Sequence, residues 1–159
     1  MSEKDAAIKE AQQALDKVVK YYGIDASNVN VQVTFEWGNA TRDAHTYSDR
    51  RVVINSPALI DAPSVAASVV HEVTHANQMK LHGVNEGTDV SLVVQNHHTR
   101  EAMGYQAALS NADQLGLSDK KKQWYAEQVE GEKAQLSKDN LKLLESGQYW
   151  GMKAGQAGQ

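Results

Sequence analysis

The sequence predicts an α+β fold: a small, mostly antiparallel sheet near the start, followed by a helical C-terminal part. Two patterns carry this expectation. Val29-Asn30-Val31-Gln32-Val33-Thr34-Phe35-Glu36-Trp37 alternates apolar and polar residues with the two-residue period of a half-buried strand. From Ser64 onward, apolar residues instead recur at the spacing of helices.

Each element follows in order. Ala7, Ile8, Ala11, Ala14, Leu15, Val18 and Val19 give Lys4 to Tyr21 one apolar face, and Gly23 ends that helix. The alternating strand comes next. Gly38 to Arg50 reads as a loop or hairpin connection, where His45 and Tyr47 either line a substrate cleft or, the blander reading, are simply exposed. Arg51-Val52-Val53-Ile54-Asn55 is a second strand, stopped by Ser56-Pro57. Asp61-Ala62-Pro63 opens a helix from about Ser64 to Leu81, because Asp61 or Ser64 supplies a cap and Pro63 suits a first turn. His82 near its end favours the helix dipole. Further helices are expected over Asp89 to Asn111, over Ser118 to about Leu136 with Ser118 as cap, and over Lys138 to Glu145. Trp124, Tyr125, Tyr149 and Trp150 are expected to cover the core or its edge, and Lys120 to Lys122 to form a solvated helix start.

With 159 residues and 41% hydrophobic content, the chain has the size and composition of one domain over 1–150, with 151–159 as a disordered tail. The sequence contains no cysteine, which excludes disulfides, thiolate metal sites and cysteine nucleophiles. A formal charge of -4 offers no basic field for nucleic acid. The charged first residues lack the apolar run of a signal peptide, and no stretch has the length of a membrane span. The expectation is a soluble chain, either cytoplasmic or delivered as an effector or as part of a larger protein.

The chemistry lies in Val69-Val70-His71-Glu72-Val73-Thr74-His75-Ala76, an HExxH motif inside a predicted helix. Positions four apart on a helix differ by only about 40° in direction, so His71 and His75 both aim a ring nitrogen at one ion. Glu72 lies about a quarter turn away, close enough to touch a metal-bound water without being a ligand. Ser64, Ala67, Ser68, His71, His75 and Gln78 form one stripe, and Val65, Ala66, Val69, Val73 and Ala76 form an apolar one behind it. The bland alternative is two structural histidines flanking a glutamate by chance.

A catalytic zinc site needs a third protein ligand. The spacing of the extended metzincin motif is absent, since His82 stands at the wrong position. Glu101, 26 positions after His75, is the better candidate. Val94, His97, His98, Gly104, Tyr105 and Ala108 share its face, and the small Gly104 and Ala108 let two helices approach closely. His97 or His98 could donate to the oxyanion of a tetrahedral intermediate, or replace Glu101 as a ligand, and Tyr105 could do the same oxyanion work. Surface exposure for the histidines and packing for the tyrosine are the bland alternatives.

Over roughly Arg50 to Ala108 the chain resembles zincin metallopeptidases of the gluzincin type, the thermolysin-like architecture in minimal form. The resemblance implies one zinc per chain held by His71, His75 and Glu101, with Glu72 as general base and Val52 to Asn55 as an edge strand that pairs with extended peptide substrate. Two positions depart from that pattern: Tyr105 stands where an aspartate often orients a histidine, and Asn77 is polar. Support for the ligands must therefore come from elsewhere. The chain is also similar to compact metallopeptidase domains at the ends of bacterial polymorphic toxins and secretion-system effectors. That second resemblance implies a protein or peptidoglycan-peptide substrate in another cell and a cognate inhibitor or immunity protein. The competing expectations are a non-catalytic zinc-binding structural or interaction domain, and a helical binding protein with incidental histidines.

Overall fold

The computed structural model describes residues 1–27, 29–34, 44–47, 49–55, 61–81 and 97–145. Helix α1 spans Glu3–Tyr21. It starts at Ser2, whose hydroxyl accepts from the Asp5 N–H while the Asp5 carboxylate reaches back, a reciprocal cap. Gly23, at φ 63°, supplies the left-handed turn that releases the chain toward the sheet.

Three short strands follow: β1 (Asn30–Thr34), β2 (Ala44–Thr46) and β3 (Arg51–Asn55). Their spatial order is β1-β3-β2, with β1 parallel to β3 and β2 antiparallel to it. The sheet is therefore mixed, where a mostly antiparallel one was expected. Val52 to Asn55 also lies in the centre and not at an edge: Val53 stands opposite Gln32 on one side and His45 on the other. Both of its edges are paired, and Val52, Val53, Ile54 and Asn55 are all buried, as in a strand covered on both faces. The segment expected to be a loop or hairpin connection supplies β2, which pairs antiparallel with β3 and is, among the described residues, the outer strand. Between β2 and β3 the Arg50 N–H bonds the Tyr47 carbonyl, and Arg50 adopts φ 66°.

The opposite edge of the sheet is closed by a side chain. The Gln12 amide of α1 donates to the Val31 carbonyl at 3.0 Å and accepts from the Val33 N–H at 3.0 Å, copying a neighbouring strand. That seats α1 on the outer side of β1, with Leu15 fully buried.

Helix α2 (Ala62–Leu81) is the central element. Asp61 caps it by accepting the Ser64 N–H at 2.8 Å. Val65, Ala66, Val69, Val70, Val73 and Ala76 pack into the main core with Val52 and Ile54 of the sheet. Helix α3 (His97–Ser110) packs on α2, helix α4 (Asp119–Lys133) on α3, and helix α5 (Lys138–Glu145) closes a small cluster of Ala102, Met103 and Leu144. The predicted helix ends hold to within a few residues, and Ser118 caps α4 by accepting the Lys121 N–H. Phe35 to Trp37, His82, the 89–96 start of the predicted third helix, Tyr149, Trp150 and the 151–159 tail lie outside the described residues. Among the described residues, no helix is long and apolar enough to cross a membrane.

Candidate metal centre

Helix α2 presents His71 and His75 on consecutive turns, and α3 brings Glu101 to the same point. His75 Nε2 lies 2.9 Å from His71 Nε2 and 2.8 Å from Glu101 Oε1, and His71 Nε2 lies 3.6 Å from Glu101 Oε2. These donor atoms all fall within 4.8 Å of one another, so the three side chains form a group able to hold a metal ion. The geometry can be tested against an ion. Ligands at about 2.0–2.1 Å in a tetrahedral arrangement sit roughly 3.3 Å from each other. The His71–His75 and His75–Glu101 separations of 2.9 and 2.8 Å are a few tenths of an ångström shorter than that spacing, so those side chains would part slightly around an ion, while the 3.6 Å from His71 is to the other Glu101 oxygen.

Close approach of the helices makes this possible. Gly104 faces the His71 ring so tightly that a Cβ there would stand 2.8 Å from Cε1 and 2.9 Å from Nδ1 and Nε2. Support for His75 comes from its own helix: Gln78, buried at 1% exposure, places Oε1 3.1 Å from His75 Nδ1. A proton on Nδ1 donated to that carbonyl leaves Nε2 as the ligating atom.

The electrostatics follow. Burial drives the His75 pKa down, but the hydrogen bond with Glu101, the charges of Glu72 and Glu101 and the Gln78 contact reverse this and leave it above the ordinary 6.5. Burial likewise favours a neutral Glu101, and the hydrogen bonds and charges of His71 and His75 overcome it, holding the carboxyl well below its usual range. Without an ion, each group thus favours the charged form of the other.

A cleft of about 390 Å³ opens over the group, lined among others by Ala44 of β2, Glu72 of α2, Tyr105 of α3 and Lys121 and Trp124 of α4. The Tyr105 ring meets His71 edge-on at 4.6 Å and Trp124 at 5.9 Å, forming an aromatic wall. Burial, the carboxylates Glu101, Glu132 and Glu72, and a hydrogen bond with Glu101 push the Tyr105 hydroxyl up to about 12, so it remains a proton donor. Glu72 also borders the cleft. Its Oε2 lies 2.5 Å from the Thr46 hydroxyl of β2.

The structure thus brings His71, Glu72, His75, Glu101 and Tyr105 together. His97 and His98, at the start of α3, are not among the residues lining the cleft. His98 Nδ1 instead meets Glu132 Oε2 at 2.6 Å, tying α3 to α4, while His97 is exposed with its ring edge-on to His98. His45 of β2 packs edge-on against Tyr47. Three residues at the site went unassigned by sequence reasoning. Gln78 stands three positions after His75, and that helical spacing was a usable signal. Trp124, expected over the core or its edge, lines the cleft at 43% exposure. Thr46 gave no signal, because a hairpin brings it to a glutamate 26 positions away.

No family model matches the chain, and no curated protein or solved structure is detectably similar to it.

Proposed function

We propose that the protein is a zinc-dependent endopeptidase in which Glu72 is the general base. The observation that carries this reading is a group of two imidazoles and one carboxylate with a further carboxylate beside it, in an open cleft. Two nitrogen donors and one oxygen donor suit zinc, and three protein ligands leave a position for chemistry. The bound ion would supply Lewis-acid activation of a water and of a peptide carbonyl.

The chain's own residues supply the rest. Glu72 takes the proton of the attacking water and passes it to the leaving amine. Tyr105, protonated across the neutral range, donates to the oxygen that gains charge. Among the described residues β2 is the outer strand next to the cleft, and Gln12 closes the far edge of the sheet. These two facts favour β2 over Val52 to Asn55 as the strand that pairs with extended substrate. On the motif's resemblance to toxin and effector domains alone, we extend the reading to a protein or peptidoglycan-peptide substrate and a cognate inhibitor.

The test contrasts two carboxylates. Glu72→Gln retains about one zinc per chain and loses roughly 10²–10⁴-fold in hydrolysis of a library-selected peptide. Glu101→Gln loses zinc itself, as do His71→Ala and His75→Ala. Emission spectrometry finding no zinc in the wild type after zinc addition, or full activity in Glu72→Gln, refutes the reading.

A further inference from the structure

Glutamate has three side-chain torsions, and a carboxylate beside a cation tends to swing onto it. Glu72 directly follows a ligand in sequence, yet the group of possible ligand atoms comprises His71, His75 and Glu101 without it. Its position about a quarter turn from His71 starts it off the ion, and a contact on the carboxylate would keep it there. The structure offers one hydroxyl in place: Thr46 Oγ1 lies 2.5 Å from Glu72 Oε2 and 3.0 Å from the Glu72 main-chain carbonyl. A hydroxyl has a single proton, and the shorter contact has the length of an O–H bond donated to a charged carboxylate. Thr46 is 8% exposed, and its backbone is fixed opposite Val52 in the β2–β3 ladder. A β-branched side chain on a paired strand is stiff at χ1, so the donor is held in place before any substrate arrives.

We propose that Thr46 is a positioning residue that aims the Glu72 carboxylate into the cleft and keeps it from becoming a fourth ligand. The proposal rests on the metal-binding reading of the triad. Four protein ligands would close the site as in a structural zinc centre, whereas three leave it open. Tying the base to a rigid strand also removes the rotamer freedom of an untethered glutamate. Because β2 also borders the cleft through Ala44, the strand that would receive substrate and the group that sets the base are one element.

The experiment compares wild type, T46V, T46S and E72Q. T46V keeps the shape and removes the donor, while T46S keeps the donor. Each protein is loaded with cobalt(II) in place of zinc and its visible absorption recorded; zinc content and peptide kinetics are measured in parallel. All four are expected to hold about one metal per chain. T46V should change the cobalt spectrum as the released carboxylate reaches the ion, and should lower kcat about 10–100-fold with KM unchanged. T46S should keep the wild-type spectrum and most of kcat. A T46V protein with both the wild-type spectrum and the wild-type kcat overturns the proposal, as does a T46S protein as altered as T46V. If the wild type cleaves no peptide, or E72Q is fully active, the peptidase reading falls, and the cobalt spectra of T46V and T46S alone decide the role of Thr46. A wild type that takes up no cobalt overturns both.

Discussion

Gly104→Ala adds one methyl group where α3 meets the His71 ring. The new Cβ would stand 2.8–2.9 Å from three ring atoms, against about 3.5–4.0 Å for an ordinary contact. The ring must therefore retreat by roughly 0.7 Å, or the two helices must part by a similar amount, while metal ligation tolerates only about 0.2 Å. Zinc affinity should fall at least about 10–100-fold, or about 1.4–2.8 kcal/mol. The fold itself suffers less. Overpacking costs about 1–3 kcal/mol, and alanine returns about 1 kcal/mol of helix propensity over glycine, so the metal-free protein should lose no more than about 2 kcal/mol. The control is Gly131→Ala in α4, where a Cβ meets nothing within 4 Å. It should gain up to about 1 kcal/mol and bind zinc as the wild type does. Competition titration against a chromophoric chelator measures affinity, and urea unfolding in EDTA measures stability. A Gly104→Ala protein with wild-type zinc affinity refutes the close-approach argument.

Gln78→Leu removes the acceptor 3.1 Å from His75 Nδ1 at nearly constant volume, and should cost about 10–100-fold in zinc affinity by the same titration. The metal-free triad should make stability depend on pH. The raised His75 pKa adds stability that is fully present below the ordinary 6.5 and lost as pH rises through the folded value; the lowered Glu101 pKa adds stability present above the ordinary 4.5 and lost as pH falls through its folded value. In EDTA, the gap in thermal midpoint between wild type and Glu101→Gln should thus be widest between pH 4.5 and 6.5 and narrow above. A gap independent of pH argues against the ion pair. Val53→Pro breaks a buried strand paired on both sides, so it should lower the urea midpoint and release zinc together, with no selective loss of substrate binding.

Local pattern determined much of this protein. The apolar spacing of α1, α2 and α5, the Asp61 and Ser118 caps, and the i,i+4 histidine pair are one-helix properties, and a helix is specified by neighbours three and four residues away. Glu101 was legible for a related reason, as an acidic residue beside Gly104 on the next small-residue helix face. The three consecutive apolar residues Val52-Val53-Ile54 are the mark of a strand covered on both faces, but its place between β1 and β2 is set by pairing along its edges. Tertiary structure alone decided the rest. β2 has three residues, too few for a period, and it exists because β3 offers it a partner. The Thr46 hydroxyl reaches Glu72, and the Gln12 amide closes β1, across 26 and 19 to 21 positions, respectively. Such contacts depend on where a chain turns and which edge remains unpaired, and no local periodicity encodes that, because the partner of a strand edge is chosen only when the sheet assembles.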